Sequence, residues 1–302
     1  MAHSKFRVGV VFPQTEIEPD AKVIGDYAQA VEQMGYSHLI GYDHVVGAGL
    51  STRPDFTGYY NENHSFHEPM VLFGYLAGLT KTIELMSAVF ILSQRQTVLF
   101  AKQAANVDIF CGGRLKLGVG VGWNEIEYEA LGVPFEGRGA RLDDQMQLLR
   151  RLWTEPTLSE SSRFHKITDA GLNPLPIQRP IPLWVGGLSE QAANRAARLG
   201  DGWVPVFPSN MAEQAAEMLH DALKKAGRHR RDVAFENICF LGTRPGMHGG
   251  AGTVEGAVHD VEVWKKVGAD GVAIDTMYLG HTKADQHLDF LRRLAETLKL
   301  KS

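Results

Sequence analysis

The chain of 302 residues contains only two cysteines, Cys111 and Cys239, which excludes a framework of disulfide bonds. Both lie in or beside apolar stretches, so we expect buried thiols in a reduced cytoplasm. No apolar run approaches the length of a membrane span, and no signal peptide is visible before the first predicted strand. The net charge of −4 gives no general attraction to nucleic acid or to an anionic membrane. We therefore expect a cytoplasmic globular protein with no nucleic-acid or membrane partner.

Three common nucleotide-binding and hydrolase motifs are also missing. The dinucleotide fingerprint fails because its third glycine falls on Trp123 when the pattern starts at Gly118, and on Glu125 when it starts at Gly120. No lysine stands at the P-loop position, and there is no Gly-x-Ser-x-Gly elbow of a serine hydrolase. A phosphate bound near residues 118–125 would therefore need a binding site of another kind.

What the sequence does contain is an unusual strand pattern at 115–122. Leu115, Leu117, Val119 and Val121 alternate with positions that carry three glycines, so one face of the strand is apolar and the other nearly bare. Bare strand positions mark the close approach of a ligand or of another backbone. Asn124 is a candidate N-cap for a helix that follows. The stretch predicts either a seat for a planar, phosphorylated ligand or a tightly packed barrel strand.

The rest of the chain repeats a strand followed by a helix eight times, which predicts a single (β/α)₈ TIM barrel over residues 1–302. A doubly wound sheet is the alternative. Residues 154–182 contain five prolines and predict an insertion with a small hairpin. The predicted barrel strands are Phe6–Phe12, His38–Tyr42, Ile83–Leu92, 115–122, Leu183–Gly187, Gly202–Val206, Val233–Leu241 and Gly271–Asp275.

Active sites of such barrels lie at the C-terminal ends of the strands. Asp43-His44 is the only adjacent acid and histidine at a predicted strand end. His44 is therefore a candidate to donate a proton or a hydrogen bond to a bound ligand, with Asp43 either fixing its tautomer or contacting the ligand. Alternatively, the pair anchors the long loop behind it. Arg244, in a glycine-rich loop, either clamps an anion or is solvated on a mobile lid. Trp123 forms either a ligand wall or part of the core.

Two further clusters invite a ligand interpretation. Gly186-Gly187 and Ser189 lie between a strand and a helix, which predicts either a phosphate site or a tight turn. His64, His67 and Glu68 have the spacing His-x-x-His-Glu, which matches neither the His-Glu-x-x-His zinc motif nor its inverse. We therefore expect them to be structural or solvated, and expect no metal.

Three runs resemble the bacterial luciferase-like oxidoreductases, and more closely their deazaflavin (coenzyme F-420)-dependent branch. They are VGVVFPQTEIEPD with YDHVVGA, GVGVGWNEIEYEALGVPFEGRGARLDDQMQLLRRLW, and PIPLWVGGLSEQAANRAARLGDGWVP. The resemblance covers residues 6–298, with the motifs in order. FMN-dependent monooxygenases share the GWNE and WVGG runs, so the resemblance is more specific for the family than for the cofactor.

The resemblance implies a TIM barrel whose mouth holds an isoalloxazine-type ring, a non-proline cis peptide near Ser87-Ala88, and a homodimer without a required metal. It places Asp43 and His44 beside this ring, and His44 is our catalytic candidate, as the residue that polarises the substrate or the ring. The cofactor contacts that it implies are Asp43, His44, Ser87, Ala88, Val121, Gly122, Trp123, Asn124, Gly186, Gly187 and Ser189.

Three functions follow from this resemblance. With coenzyme F-420 the protein would transfer a hydride between C5 of the ring and a small organic substrate. With FMN it would be a monooxygenase that receives reduced flavin from a partner reductase. The third is a flavin-binding barrel without turnover. The substrate is not given by the sequence, and the loops 45–65, 154–182 and 244–252 are expected to shape its pocket.

Overall fold

The computed structural model describes residues 6–244 and 249–301 of the chain. The expected absence of a signal peptide concerns residues 1–5, which lie outside the described residues. Residues 245–248 of the predicted loop 244–252 lie outside them as well.

Eight parallel strands close into a barrel in the order β1-β10-β9-β8-β7-β4-β3-β2. Strand β1 pairs in parallel with both β2 and β10, which closes the barrel and excludes the doubly wound alternative. The strands are β1 (Arg7–Val11), β2 (His38–Gly41), β3 (Glu84–Ile91), β4 (Leu115–Gly120), β5 (Leu158–Ser161), β6 (Lys166–Ala170), β7 (Leu183–Gly186), β8 (Gly202–Val204), β9 (Ala234–Phe240) and β10 (Gly271–Asp275).

The helices between the strands confirm the predicted alternation. Most carry a polar N-cap; Asp20, for example, accepts hydrogen bonds from the first turn of α1. No helix within residues 6–244 and 249–301 has the length and apolar character needed to cross a membrane. The helices are α1 (Ala21–Gln33), α2 (Pro69–Leu79), α3 (Thr97–Phe110), α4 (Glu125–Ala130), α5 (Arg138–Thr154), α6 (Glu190–Leu199), α7 (Ala212–Ala226), α8 (Val254–Lys266) and α9 (Ala284–Leu298).

The interior of the barrel is filled at its N-terminal end. An apolar layer that includes Met86, Trp184 and Ile238 occupies the middle. Towards the starts of the strands, Arg7 Nε lies 2.8 Å from Glu236 Oε1 in a network of buried and partly buried charges. Paired charges can fill such a space because each one offsets the desolvation of its partner. Space for a ligand inside the barrel is therefore found at the C-terminal end.

Strand β3 carries a bulge where it faces β4. Its register against β4 shifts between Ser87 and Phe90. The peptide bond between Ala88 and Val89 is cis. The family resemblance placed such a bond near Ser87-Ala88, so the structure puts it one bond further along the chain.

The bulge explains the glycines of β4. A Cβ atom at Gly118 would lie 1.9 Å from Ser87 O, and one at Gly120 would lie 2.6 Å from Val89 Cγ2. Both distances are far below van der Waals contact, so only glycine lets β3 approach this closely. At these two positions the close approach is made by the neighbouring strand and its side chain, as the packed-strand alternative predicts.

The predicted insertion contains a hairpin of β5 and β6, paired antiparallel. It packs on the outside of the barrel, against α3 and α5. His165 near its tip contacts Thr97 Oγ1 through Nε2 at 2.6 Å and Asp144 Oδ2 through Nδ1 at 2.5 Å. These side chains fasten the hairpin to the outer helices.

Replacement of Gly118 by alanine tests whether the bulge depends on this glycine. Because the new Cβ would collide with the backbone of β3, we expect Gly118→Ala to lower the free energy of unfolding by about 1–3 kcal/mol or more. Urea denaturation measures this change. Gly49→Ala is the matched control, because its Cβ would meet only Thr52 Oγ1 at 3.7 Å. Equal stability of the two variants would contradict this account.

Candidate active site

A cavity of about 220 Å³ opens at the C-terminal ends of the barrel strands. We call it the mouth cavity. It is bounded by the ends of β2, β3, β4, β8 and β9 and by the long loop that follows β2. Its lining residues are Tyr42, Asp43, His44, Tyr59, Tyr60, Ala88, Val89, Ile91, Gly122, Trp123, Val206, Phe240 and Arg244.

Asp43 lines the mouth cavity but does not orient His44. Its Oδ2 accepts a hydrogen bond from the Ile91 backbone N–H at 2.9 Å, and Arg95 donates to its Oδ1 at 2.6 Å. The carboxylate therefore joins the end of β2 to the end of β3. The expectation that Asp43 fixes the tautomer of His44 is corrected, because both of its oxygens are bonded elsewhere.

The acid that orients His44 is Glu127 in α4. His44 Nδ1 lies 3.2 Å from Glu127 Oε2 and 3.3 Å from Oε1, and the Val45 backbone N–H donates to Oε1 at 2.7 Å. Glu127 is fully buried. Since an ionised carboxylate only accepts hydrogen bonds, it places a proton on Nδ1 and leaves Nε2 available to a ligand.

Sequence reasoning missed Glu127, although a signal was present. Asn124 begins α4 as its N-cap, accepting from the Ile126 backbone N–H at 3.2 Å. Glu127 then falls in the first turn of that helix, where a negative charge is favoured. Its contact with His44 joins elements 83 residues apart, which no local pattern shows.

Aromatic rings surround His44. The ring centroids of Tyr60 and Phe66 both lie 4.8 Å from that of His44, and that of Trp123 lies 5.8 Å away. Trp123 is therefore a wall of the cavity. Such rings restrict the access of water to the imidazole, which strengthens its polar interactions.

The second polar cluster of the cavity is formed by Arg244, Asp275 and Tyr42. Arg244 donates to Asp275 Oδ2, and Tyr42 Oη donates to the same oxygen at 2.7 Å. Burial, with the nearby charge of Asp275, raises the pKa of Tyr42 well above its ordinary value, so the phenol stays protonated. Arg244 is buried, so the alternative of a solvated arginine on a mobile lid is wrong.

Of the remaining predicted cofactor contacts next to β3 and β4, three lie outside the mouth cavity and two line it. Ser87 is buried and donates to Gly118 O at 2.8 Å, so its hydroxyl does not line the mouth cavity. Val121 packs against the main apolar core of the protein. Asn124 lines a neighbouring cavity of about 180 Å³ beneath the long loop, which it shares with His44. Ala88 and Gly122 line the mouth cavity as predicted.

The predicted phosphate residues lie outside the mouth cavity. A Cβ atom at Gly186 would fall 2.2 Å from Val89 Cγ1, so this glycine makes room for the bulge. Gly187 and Ser189 are exposed at the start of α6, where Ser189 Oγ accepts from the Ala192 backbone N–H at 3.2 Å. They form an accessible helix N-terminus, and their contact with a phosphate stays a prediction.

The histidines weighed for metal binding have other partners. Glu68 is the N-cap of α2 and pairs with Arg95 at 2.7 Å. His64 Nδ1 lies 3.0 Å from Asn61 Oδ1, and the His67 ring is near Phe12. Within residues 6–244 and 249–301, no group of three or more potential ligands is arranged to hold a metal ion.

Two of the three loops expected to shape the pocket contribute to it. Tyr59 and Tyr60 come from the loop 45–65, and Arg244 begins the loop 244–252. The segment 154–182 supplies none of the residues that line the mouth cavity. The expectation for this segment is corrected, because its hairpin packs on the outer helices.

The mouth cavity fits a flat aromatic ring system. Val89 projects from the bulge into space that only glycine leaves open at Gly120 and Gly186. It forms an apolar support with Ala88, beside the indole of Trp123. His44 and Arg244 place polar groups around these apolar surfaces. An apolar pocket with a few placed polar groups is typical of small-molecule and cofactor sites.

A closed (β/α)₈ barrel with a cavity at the C-terminal ends of its strands has the architecture of the barrel enzymes. A family model described as luciferase-like monooxygenase matches residues 5–241. The chain belongs to the luciferase-like monooxygenase family.

Individual relatives agree with this assignment. An uncharacterized protein of Mycobacterium tuberculosis is 35% identical over 183 residues, covering 59% of this chain and 62% of that protein. The FMNH₂-dependent dimethylsulfone monooxygenase of Pseudomonas putida is 31% identical over 218 residues, covering 71% of this chain and 56% of that protein. The chain thus spans about three-fifths of the length of these curated relatives.

A solved structure of an F420-dependent secondary alcohol dehydrogenase, in complex with an F420–acetone adduct, has the same fold. Its TM-score is 0.77 over 96% of this chain and 98% of that chain, at 14% identity. At this identity the likeness shows the fold alone.

The role of Glu127 can be read from the protonation of His44. Glu127→Gln keeps an oxygen for the Val45 N–H but presents an amide NH₂ to Nδ1, so we expect the proton to move to Nε2. Nitrogen NMR of the labelled histidines distinguishes the two tautomers. His220→Gln, a change at an exposed position of α7, is the control and should leave the His44 resonances unchanged. An unchanged His44 tautomer would show that Glu127 does not set it.

Proposed function

We propose that this protein is a coenzyme F-420-dependent oxidoreductase that transfers a hydride between the deazaflavin ring and a small organic substrate. The observation that carries the proposal is the His44–Glu127 pair at the edge of a cavity suited to a flat ring. When bound, the reduced coenzyme would supply a hydride at C5, and it reacts poorly with oxygen. Family membership and the apolar support at Ala88 and Val89 are consistent with such a ring.

In this proposal His44 donates or accepts the proton that accompanies hydride transfer. A carbonyl that gains a hydride must also gain a proton, and an alcohol that is oxidised must lose one. Glu127 accepts from Nδ1, so Nε2 is the atom that gives or takes this proton. When an alcohol is oxidised, the neutral imidazole takes the proton at Nε2 and becomes an imidazolium. When a carbonyl is reduced, the imidazolium gives the Nε2 proton to the new hydroxyl oxygen, and Nδ1 keeps its hydrogen bond to Glu127 in both directions.

The residues around the cavity would also position the substrate. Trp123, Tyr60 and Phe66 surround the imidazole and limit contact with water. Exclusion of water strengthens the interaction of His44 with the reacting oxygen. Ala88 and Val89 would hold one face of the ring, which leaves the other face for the substrate.

A second candidate is an FMN-dependent monooxygenase that receives reduced flavin from a separate reductase. The observation in its favour is the 31% identity to the FMNH₂-dependent dimethylsulfone monooxygenase of Pseudomonas putida over 71% of this chain. The same cavity would then hold reduced FMN, and oxygen would be a co-substrate.

A cofactor titration separates the two candidates. Purified protein is mixed with coenzyme F-420 and, separately, with FMN at matched concentrations, and binding is followed by fluorescence. We expect tighter binding of F-420. His44→Ala should lower turnover more than it lowers this affinity, and turnover should fall by about 100-fold or more, because general acid–base catalysis contributes at this scale. Arg53→Ala, an exposed change in the loop after β2, is the control.

Other outcomes of this titration have defined meanings. Tighter binding of FMN, with oxygen consumption in the presence of reduced flavin, would support the monooxygenase instead. Binding of one cofactor without turnover of any substrate would indicate a non-catalytic flavin-binding barrel. Equal turnover of His44→Ala and the unmodified protein would remove His44 from the mechanism.

We also propose that the protein forms the homodimer that the family resemblance implies. Helices α2 and α3 pack on each other and expose apolar side chains, among them Val71 at 72% and Leu99 at 53% exposure. A dimer interface on this pair of helices would cover these apolar side chains. Light scattering should give twice the mass of the chain, and Val71→Glu should shift it towards the monomer. A monomeric mass of the unmodified protein would contradict the proposal.

A further inference from the structure

Arg244 has more hydrogen-bond donors than its surroundings use. It lines the mouth cavity and is only 7% exposed. One amino group donates to Asp275 and the other donates to Tyr60 Oη at 3.0 Å. A guanidinium has five N–H donors, so three of them have no acceptor among the residues that the structure describes. One of these is Nε, which is buried without a partner.

A purely structural role explains only part of this arrangement. The bonds to Asp275 and Tyr60 fasten the end of β9 to the end of β10 and to the long loop. They do not explain why the guanidinium forms part of the cavity wall while donors remain unused. Donors shielded from water without acceptors are unfavourable, and buried polar groups are nearly always paired. The unused donors therefore point to an acceptor that a bound molecule supplies.

The charges near the cavity decide what kind of acceptor fits. Arg244 is already paired with Asp275, and Arg95 is paired with Asp43 and Glu68. Glu127 adds a further carboxylate beside His44. Four carboxylates therefore accompany two guanidinium groups in these pairs. A ligand anion would be repelled by the excess negative charge, whereas a neutral oxygen accepts from Arg244 without this penalty.

We propose that Arg244 binds the carbonyl or hydroxyl oxygen of an uncharged substrate, and that the mouth cavity discriminates against anionic substrates. This inference rests on the proposed function in taking the occupant to be the substrate rather than the coenzyme. The rings of Tyr59, Trp123 and Phe240 line the same cavity and offer apolar contacts to the carbon frame of that substrate.

Three probes of one shape test the charge preference. Benzamide is neutral with a carbonyl oxygen, benzoate is its anionic counterpart, and benzylammonium is a cation without an acceptor. Binding to the full chain is measured by ligand-observed NMR titration, both without cofactor and with saturating F-420 or FMN. We expect benzamide to bind about tenfold more tightly than benzylammonium, because benzylammonium offers no acceptor to the charged donor. We expect a similar preference over benzoate, because the carboxylates near the cavity repel an anion.

Two variants test the role of Arg244 itself. Arg244→Met keeps much of the apolar stem but removes every donor, so benzamide should bind about tenfold more weakly. Asp275→Asn keeps an oxygen acceptor but leaves the charge of Arg244 without its partner, so benzoate should gain about tenfold relative to benzamide. Arg53→Met is the control, because the Arg53 side chain is 46% exposed and does not line the mouth cavity. Among the described residues its one ion pair, with Glu129, is 4.0 Å long. Circular dichroism checks the fold of each variant.

The results separate this inference from the proposed function. Benzoate binding to the unmodified protein as tightly as benzamide would overturn the inference. Benzamide affinity unchanged in a folded Arg244→Met would overturn it too, whatever becomes of Asp275→Asn. If neither F-420 nor FMN binds but the probe preferences hold, the acceptor site is supported and only the proposed coenzyme chemistry fails.

Discussion

The close approach of β3 to β4 is the contact on which the mouth of this barrel depends. The bulge at Ser87–Val89 needs the missing side chains of Gly118 and Gly120, and Val89 also uses the open space at Gly186. The side chain of Val89 is thereby placed in the barrel mouth, where it contacts β4 and β7. Without it the cavity would lack an apolar support for a flat ring. The bulge thus links the glycine pattern of β4 to the shape of the proposed ligand site.

Around that support, the polar groups are arranged as pairs that link different strand ends. Asp43 bonds to Arg95, Glu127 bonds to His44, and Asp275 bonds to Arg244. Each pair offsets the cost of burying its charges and joins neighbouring elements. The pairing leaves Nε2 of His44 and several donors of Arg244 available. The chemistry of the mouth is therefore set by which atoms the pairs leave unused.

Much of the fold could be predicted because its signals are local. Alternating or continuous apolar strands, amphipathic helices and glycine or proline boundaries repeat through the chain, and all eight barrel strands were predicted within about two residues. The position rule for barrel enzymes then singled out His44, because it follows a strand end. The same rule placed Asp43 correctly at the cavity but could not give its partner. Arg95 lies 52 residues further along the chain.

Short-range sequence patterns were enough to predict the (β/α)₈ barrel, the outer hairpin and the strand ends that carry polar residues. The partners of these polar residues could be read only from the folded chain. It paired His44 with Glu127 rather than Asp43, assigned the glycines of β4 to the bulge, and buried Arg244 against Asp275. The tertiary structure also shows that the segment 154–182 lies outside the mouth cavity. Such contacts depend on the register and closure of the barrel, which join residues distant in sequence and leave no local pattern.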